Sequence, residues 1–270
     1  MSLVTRHASA PAWRLPQAAL AGAAVGVLGG LIGLGGAEFR LPLLIGLFGF
    51  AALQAVILNK AMSLIVVATA LPARLMSMPL TAITGHWSVI LNLLAGSLIG
   101  AWLGATWATR MASRTLYRIL AALLVLISAA LLANHYTALQ PLGLTGPAQL
   151  VCGILAGTGI GIVAALMGVA GGELLIPTIV LLYGIDIKAA GSLSLAVSLP
   201  TMLVAFARYS RDNSFTVLAA NTAFAGAMAA GSLAGTTLGG ALLSHAPVGM
   251  LLPLLAALLL ASSIKVWNHK

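Results

Sequence analysis

Apolar residues run along this chain in long blocks, and the blocks break twice in the same manner. The first, from about Leu15 to Leu34, closes on glycines; Gly33-Leu-Gly-Gly-Ala-Glu-Phe-Arg-Leu-Pro42 follows, and Leu43 to Phe48 is apolar again. About 20 apolar residues cross a bilayer as a helix. By that measure the next spans are Ala51 to about Leu75, His86 to Ala108 and Thr115 to Ala133, with Glu38 to Phe48 a half-length piece. After the linker His135 to Pro147 the pattern restarts: Ala148 to Gly168, the short Glu173 to Tyr183, Ile187 to Phe206, Phe215 to Leu243 and Val248 to Val266. The prediction is an all-α polytopic membrane protein. It has a tail over 1–16, a first membrane repeat over 17–134, an external linker over 135–147 and a second repeat over 148–267. Each repeat holds about five helical elements, one of them broken or re-entrant.

Internal duplication is the strongest signal. Glu38 and Glu173 lie 135 positions apart (173 − 38), and Pro42 and Pro177 share that offset. So do Ala95-Gly-Ser-Leu-Ile-Gly-Ala-Trp-Leu-Gly104 and Ala230-Gly-Ser-Leu-Ala-Gly-Thr-Thr-Leu-Gly239, identical at seven of ten positions. Basic residues, which favour cytoplasmic loops, then set the orientation. Arg110, Arg114 and Arg118 follow the fourth element of the first half, whereas Arg208 and Arg211 follow the third element of the second. Equivalent helices must therefore run in opposite directions, as in the inverted-topology repeats of many transporters. Arg6, Arg14, Lys265 and Lys270 place both termini in the cytoplasm, while Arg74 and Lys188 fall on the minority side. Either all five elements of each half cross, or the first two form a re-entrant hairpin and three cross. Trp13, Trp87, Trp107 and Trp267 lie near span ends, where interfacial anchors belong.

Composition narrows the class. The chain is 61% apolar and 6% charged, too few charges to cover a water-facing surface that is ordinarily about one-quarter charged. A net charge of +9 invites nucleic acid, but the bases are scattered or sit at span ends, so that partner is excluded. Ala8-Ser9-Ala10 resembles a signal-cleavage box, yet it precedes the apolar block instead of following it. A single cysteine, Cys152, excludes an internal disulfide.

Candidate chemistry concentrates at the two breaks. Gly35 and Gly36, then Gly171 and Gly172, let helices stop at membrane depth, where irregular backbone is tolerated only inside protein or beside water. The short helices that follow would present N-terminal amides, natural sites for an anion. Gly96, Gly100, Gly104 and their copies Gly231, Gly235 and Gly239 read instead as close packing between helices. Arg40 and Lys60 are cations in apolar surroundings, with Asn59 and Ser63 beside Lys60. They either cancel Glu38 or leave a positive balance for an oxyanion. Ser192, Ser194 and Ser198 supply hydroxyls in the second half, as oxyanion donors or as glue between helices. Glu38 and Glu173 either cap the exposed amides or, if unpaired, hold a proton; Glu173 is the candidate proton carrier. His7, His86, His135, His245 and His269 show no metal spacing, and no nucleophile–base pair is visible, so neither metal, cofactor nor catalysis is expected. Gly157-Thr-Gly-Ile-Gly161 lies within an apolar span and is not a nucleotide loop.

A glycine cluster, an acid, a proline and apolar residues, twice over, resemble the TauE/SafE sulfite-exporter family of bacterial inner-membrane permeases. The resemblance runs from about Ala21 to Ser263 and is best at Gly33 to Pro42 and Val169 to Ser194, where Gly184-Ile-Asp186 precedes the third element. Arg40 and the Asn59-Lys60 pair depart from the pattern. It implies a secondary transporter exporting sulfite, sulfoacetate or another small sulfur-containing anion by alternating access. The membrane potential would drive it, with protons a candidate coupling ion. Partners are then the anion, the lipid bilayer and, as a further candidate, a second copy in a homo-oligomer. A permease for another anion and a non-transporting scaffold or sensor subunit are the alternatives.

Overall fold

Charged side chains are buried inside this molecule while large apolar ones face outward. Arg40 and Lys60 are among its largest fully buried side chains, whereas Leu20, Leu91, Leu155, Leu238 and Ile264 are each more than half exposed. The computed structural model describes residues 14–32, 36–77, 85–136, 140–242 and 248–268. Eleven α-helices fill them: α1 (Leu15–Ile32), α2 (Ala37–Gly46), α3 (Ala52–Ser77), α4 (Trp87–Arg110), α5 (Ser113–Tyr136), α6 (Gly146–Met167), α7 (Gly172–Tyr183), α8 (Ile187–Tyr209), α9 (Thr216–Ala220), α10 (Thr222–Leu242) and α11 (Val248–Trp267). Five of these, α3, α4, α5, α6 and α8, are long and apolar enough to cross a membrane. The tail, Gly33 to Gly35, part of the linker and the loop holding His245 lie outside the described residues.

The short helices fold back on the long ones before them. Gly168 and Gly171, at φ 71° and 83°, bracket the turn between α6 and α7 in a backbone region that only glycine enters cheaply. The chain then returns along α6. Gly171 lies level with Ile160 and Ala164, and the Gln149 side chain near the start of α6 donates to the carbonyl of Leu182 near the end of α7 (2.6 Å). The first half does the same. Gly36 lies against Val25, and Arg14, just before α1, donates to the carbonyl of Phe48, just after α2 (3.1 Å). Both halves thus hold a helical hairpin whose ends lie on one side.

Two glycine seams join the halves. Along α1 and α10, a Cβ at Gly22, Gly26 or Gly235 would strike the backbone oxygen of Met228, Ser232 or Ala23. Along α4 and α6, a Cβ at Gly157, Gly161 or Gly100 would strike that of Leu93, Ser97 or Thr158. Each contact has its counterpart 135 positions away, and α2, α3, α4 and α5 begin 135 positions before α7, α8, α10 and α11. Because both partners advance together, the helices of each seam are parallel. A Gly26→Ala protein should be destabilised. Overpacking against backbone costs about 1–3 kcal/mol, and the roughly 1 kcal/mol gained in helix propensity does not offset a clash with an immobile carbonyl. Thermal unfolding in detergent measures it; an unchanged midpoint would contradict the seam.

The apolar run from Phe215 to Leu243 is not one helix. A 3-10 turn (Asn213–Phe215) and α9 precede α10, and the chain bends by 70° between them. Asn221 causes the bend. Its backbone amide bonds the carbonyl of Leu218 (3.2 Å), while its side chain takes the carbonyl of Val217 (2.9 Å), which a continuing α-helix would have offered to the amide. The run is also too long for one crossing: 29 residues reach about 44 Å at 1.5 Å each.

Candidate functional site

The two hairpins meet tip to tip. Gly36 and Gly171 take the N-cap positions of α2 and α7, and neither contributes a side chain to the free amides there. Glu38 and Glu173 stand one residue inside their helices, where the positive end of the helix dipole favours a carboxylate. The Glu173 carboxyl accepts a hydrogen bond from its own backbone amide and lies in hydrogen-bonding contact with the carboxyl of Glu38. These are the chain's only two glutamates, drawn from opposite halves and buried together.

The two cations are occupied by other groups. Lys60, on α3, donates from Nζ to the carbonyls of Ala164 (2.8 Å) and Val169 (2.7 Å), closing the C-terminal end of α6. A cation there meets the negative pole of the helix, and it adds a second donor to the Ala164 carbonyl, which the Val169 amide also reaches (3.1 Å). Asn59, beside it, donates from Nδ2 to Ala37 O (3.0 Å) and Met167 O (3.1 Å), so one amide joins the tips of both hairpins. Arg40 spreads its guanidinium over Asn59 Oδ1 (Nε, 2.9 Å), Ser63 Oγ (Nη2, 3.0 Å) and Ser232 Oγ (Nη1, 3.2 Å). Glu38 lies within reach of its charge. The centre thus holds two acids and two bases, not the two bases and one acid that neighbouring residues alone suggest.

The second half answers with hydroxyls. The position matching Arg40 is Leu175, and those matching Asn59, Lys60 and Ser63 are Ser194, Leu195 and Ser198. Ser194 Oγ donates to Gly191 O (2.8 Å), and Ser192 is buried and partnered. Ser198 Oγ is buried with no hydrogen-bond partner, as are one oxygen of Glu38 and one of Glu173. Gly172 opens α7 beside this group; Gly35 lies outside the described residues.

Residues that the sequence reading passed over complete the picture. Ser232 anchors Arg40, and its counterpart Ser97 bonds Thr201 Oγ1 (2.8 Å). Both serines sit at the third position of the duplicated ten-residue segment, where a polar side chain repeated among glycines was the available signal. A cleft of ≈ 370 Å³ opens at the base of the second hairpin, lined among others by His86, Asn92, Gln149, Tyr183 and Ile185, with Asn92 Nδ2 donating to Tyr183 Oη (2.8 Å). The matching place at the base of the first hairpin is filled. Phe48 and Phe50, the counterparts of Tyr183 and Ile185, pack on Phe224 with ring centroids 4.8 Å and 5.3 Å away.

Buried charges ringed by lipid-length apolar helices, with large apolar side chains facing outward, define a multi-pass membrane protein, and helix breaks at the charged centre belong to transporters. The chain belongs to the family described as sulfite exporter TauE/SafE, whose model matches residues 18–266. This is a family of membrane transporters. No curated protein and no solved structure matches the chain at a significant level.

Proposed function

We propose that the protein exports a small sulfur-containing anion, sulfite or a related organosulfur anion, across the bacterial inner membrane by alternating access around the meeting point of the two hairpins. The observation that carries the reading is that point itself: two helix N-termini from opposite halves converge, buried, with Arg40 in the first turn of α2 and Ser198 Oγ unspent. Oriented amides, a guanidinium and hydroxyls are the groups that hold an oxyanion without water. The backbone at Gly36, Gly171 and Gly172, together with Arg40, Asn59, Ser63, Ser192, Ser194 and Ser198, would form the binding surface. Lys60 would support it by closing α6, and Gly35 would extend it. Metal and nucleophile play no part in this scheme.

The contacts repeating at an offset of 135 support two inverted repeats. Positive-inside orientation then puts the base of the first hairpin in the cytoplasm and that of the second outside. Basic residues of both halves gather on one rim in support of this: Arg208 and Arg211 lie over Trp102 (5.9 Å and 5.1 Å), and Arg118 lies over Trp267 (5.7 Å). An open polar cleft at the outer base and three phenylalanines at the inner one suit a transporter caught facing outward. Proteoliposomes test the function directly. Sulfite should leave them in a protein-dependent way, and sulfite should raise the unfolding temperature of the purified protein, by about 2.7 kcal/mol of stabilisation at one hundred times its dissociation constant. Stabilisation by a different anion would reassign the substrate. Neither flux nor stabilisation with any small anion would leave a scaffold.

A further inference from the structure

Two carboxyl groups in contact inside lipid pose a problem that the surrounding side chains do not solve. Glu38 and Glu173 are 3% and 7% exposed. Glu38 Oε1 and Glu173 Oε2 find no donor, although each carboxyl touches the other. Carboxylates only accept hydrogen bonds, so two ionised groups here would leave both oxygens unpaired and two like charges in contact. A single proton between them removes both costs, since one carboxyl becomes a donor to the other.

Other neighbours leave that role to a proton. Arg40 faces Glu38 but spends Nε, Nη1 and Nη2 on Asn59, Ser232 and Ser63. Lys60 is held by two carbonyls, and Tyr209 on α8 donates to Ala165 O (3.0 Å). Lys188 and Arg208 stand at the ends of α8, Lys265 in the last turn of α11 beside Gly46, and the arginines of α5 near its start.

We propose that Glu38 and Glu173 share one proton, and that this proton enters and leaves the centre together with the transported anion. The inference rests on the transport reading above. Its argument is charge balance. With both glutamates ionised, Arg40 and Lys60 bring the centre to zero, and the carboxylates themselves occupy the helix N-termini that an anion needs. One shared proton raises the centre to +1 and weakens the hold of the acids on those amides. A monovalent anion, hydrogen sulfite where the substrate is sulfite, then restores neutrality. One proton per monovalent anion makes the loaded centre equal in charge to the deprotonated centre that returns empty with its two carboxylates parted, so the cycle carries no net current. The proton is taken up from the side to which the hairpin tips are open and released on the other, with no bond to the anion made or broken.

The test compares the wild-type protein with Glu38→Gln and Glu173→Gln in liposomes. Glutamine keeps the shape and the donor capacity of a protonated acid, so it preserves the contact while fixing the charge. Labelled sulfite exchange at equal concentrations on both sides should persist in the variants. Net sulfite flux in the wild type should respond to an imposed pH gradient and ignore a potassium–valinomycin potential. In either variant the pH response should be lost and a voltage response should appear. Net flux in the variants that follows the pH gradient as in the wild type would overturn the proposal, as would wild-type flux that follows voltage. A second measurement does not depend on transport: infrared spectra of the purified wild type should show the carbonyl stretch of a buried protonated carboxyl, lost or shifted in each variant. If the wild type moves no sulfite, the transport reading fails and the spectrum alone decides the shared proton. Absence of that band at neutral pH overturns it.

Discussion

A Lys60→Met protein should unfold well below the wild-type temperature, because the lysine holds the end of α6 closed. Removing the ammonium leaves the carbonyl of Val169 buried without a donor, while that of Ala164 keeps the backbone amide of Val169 (3.1 Å). One such group costs about 1–3 kcal/mol, and that is the expected loss. Methionine fills the space of the stem, which separates the missing hydrogen bonds from a simple cavity. The comparison also distinguishes two roles for the cation. A lysine that served only as a ligand for the anion would leave the unfolding temperature of the empty protein unchanged and lower only the stabilisation by sulfite. The geometry predicts the reverse order: the empty protein suffers first, and flux falls because the tip of the second hairpin loses its shape.

Phe224→Ala is the second substitution with a large expected effect, and its signature differs. Phe224 is 1% exposed and lies between Phe48 and Phe50. Truncating a buried phenylalanine costs about 3–5 kcal/mol, yet the more informative result is accessibility. The plug at the base of the first hairpin should open toward the side proposed to be cytoplasmic. A cysteine introduced at Phe50 in that background should then react with a water-soluble thiol reagent applied from that side, and in the presence of Phe224 it should not. Equal reactivity in both would deny the cluster its place as a barrier. Cys152, half-buried on α6, should first be replaced by serine so that one thiol reports.

Much of this architecture was legible because lipid imposes simple bookkeeping on a sequence. The helix starts follow the apolar blocks closely, and the offset shared by Glu38 and Glu173 pointed to a meeting that the folded chain makes. Three things were not legible, each for a physical reason. Apolar length says that a short helix cannot cross but not which way it turns, so the fold-back at Gly171 waited for contacts such as Gln149 to Leu182. Hydropathy is blind to a side chain that takes over a backbone bond, which is how Asn221 divides an apolar run. Neighbours in sequence also misled the charge count at the centre. Local spacing sets Arg40 and Lys60 against one acid, because the second acid comes from the other half and the carbonyls that hold Lys60 lie more than one hundred residues away. Long-range partners of buried cations are set by the fold, not by adjacency along the chain.

The glycine seams also bear on how the chain is made. α1 finds its close-packed partner in α10, which ends at Leu242, some two hundred residues after α1 itself ends at Ile32. At a synthesis rate of about 5–20 residues per second, the first hairpin waits about 10–40 s for that surface. Until then its flat glycine stripe faces lipid or the insertion machinery, and the second hairpin arrives to a partner, α4, already in place. The late half therefore completes the early one, and a ribosome stalled before Thr222 would leave behind an unfinished protein that quality-control proteases can recognise.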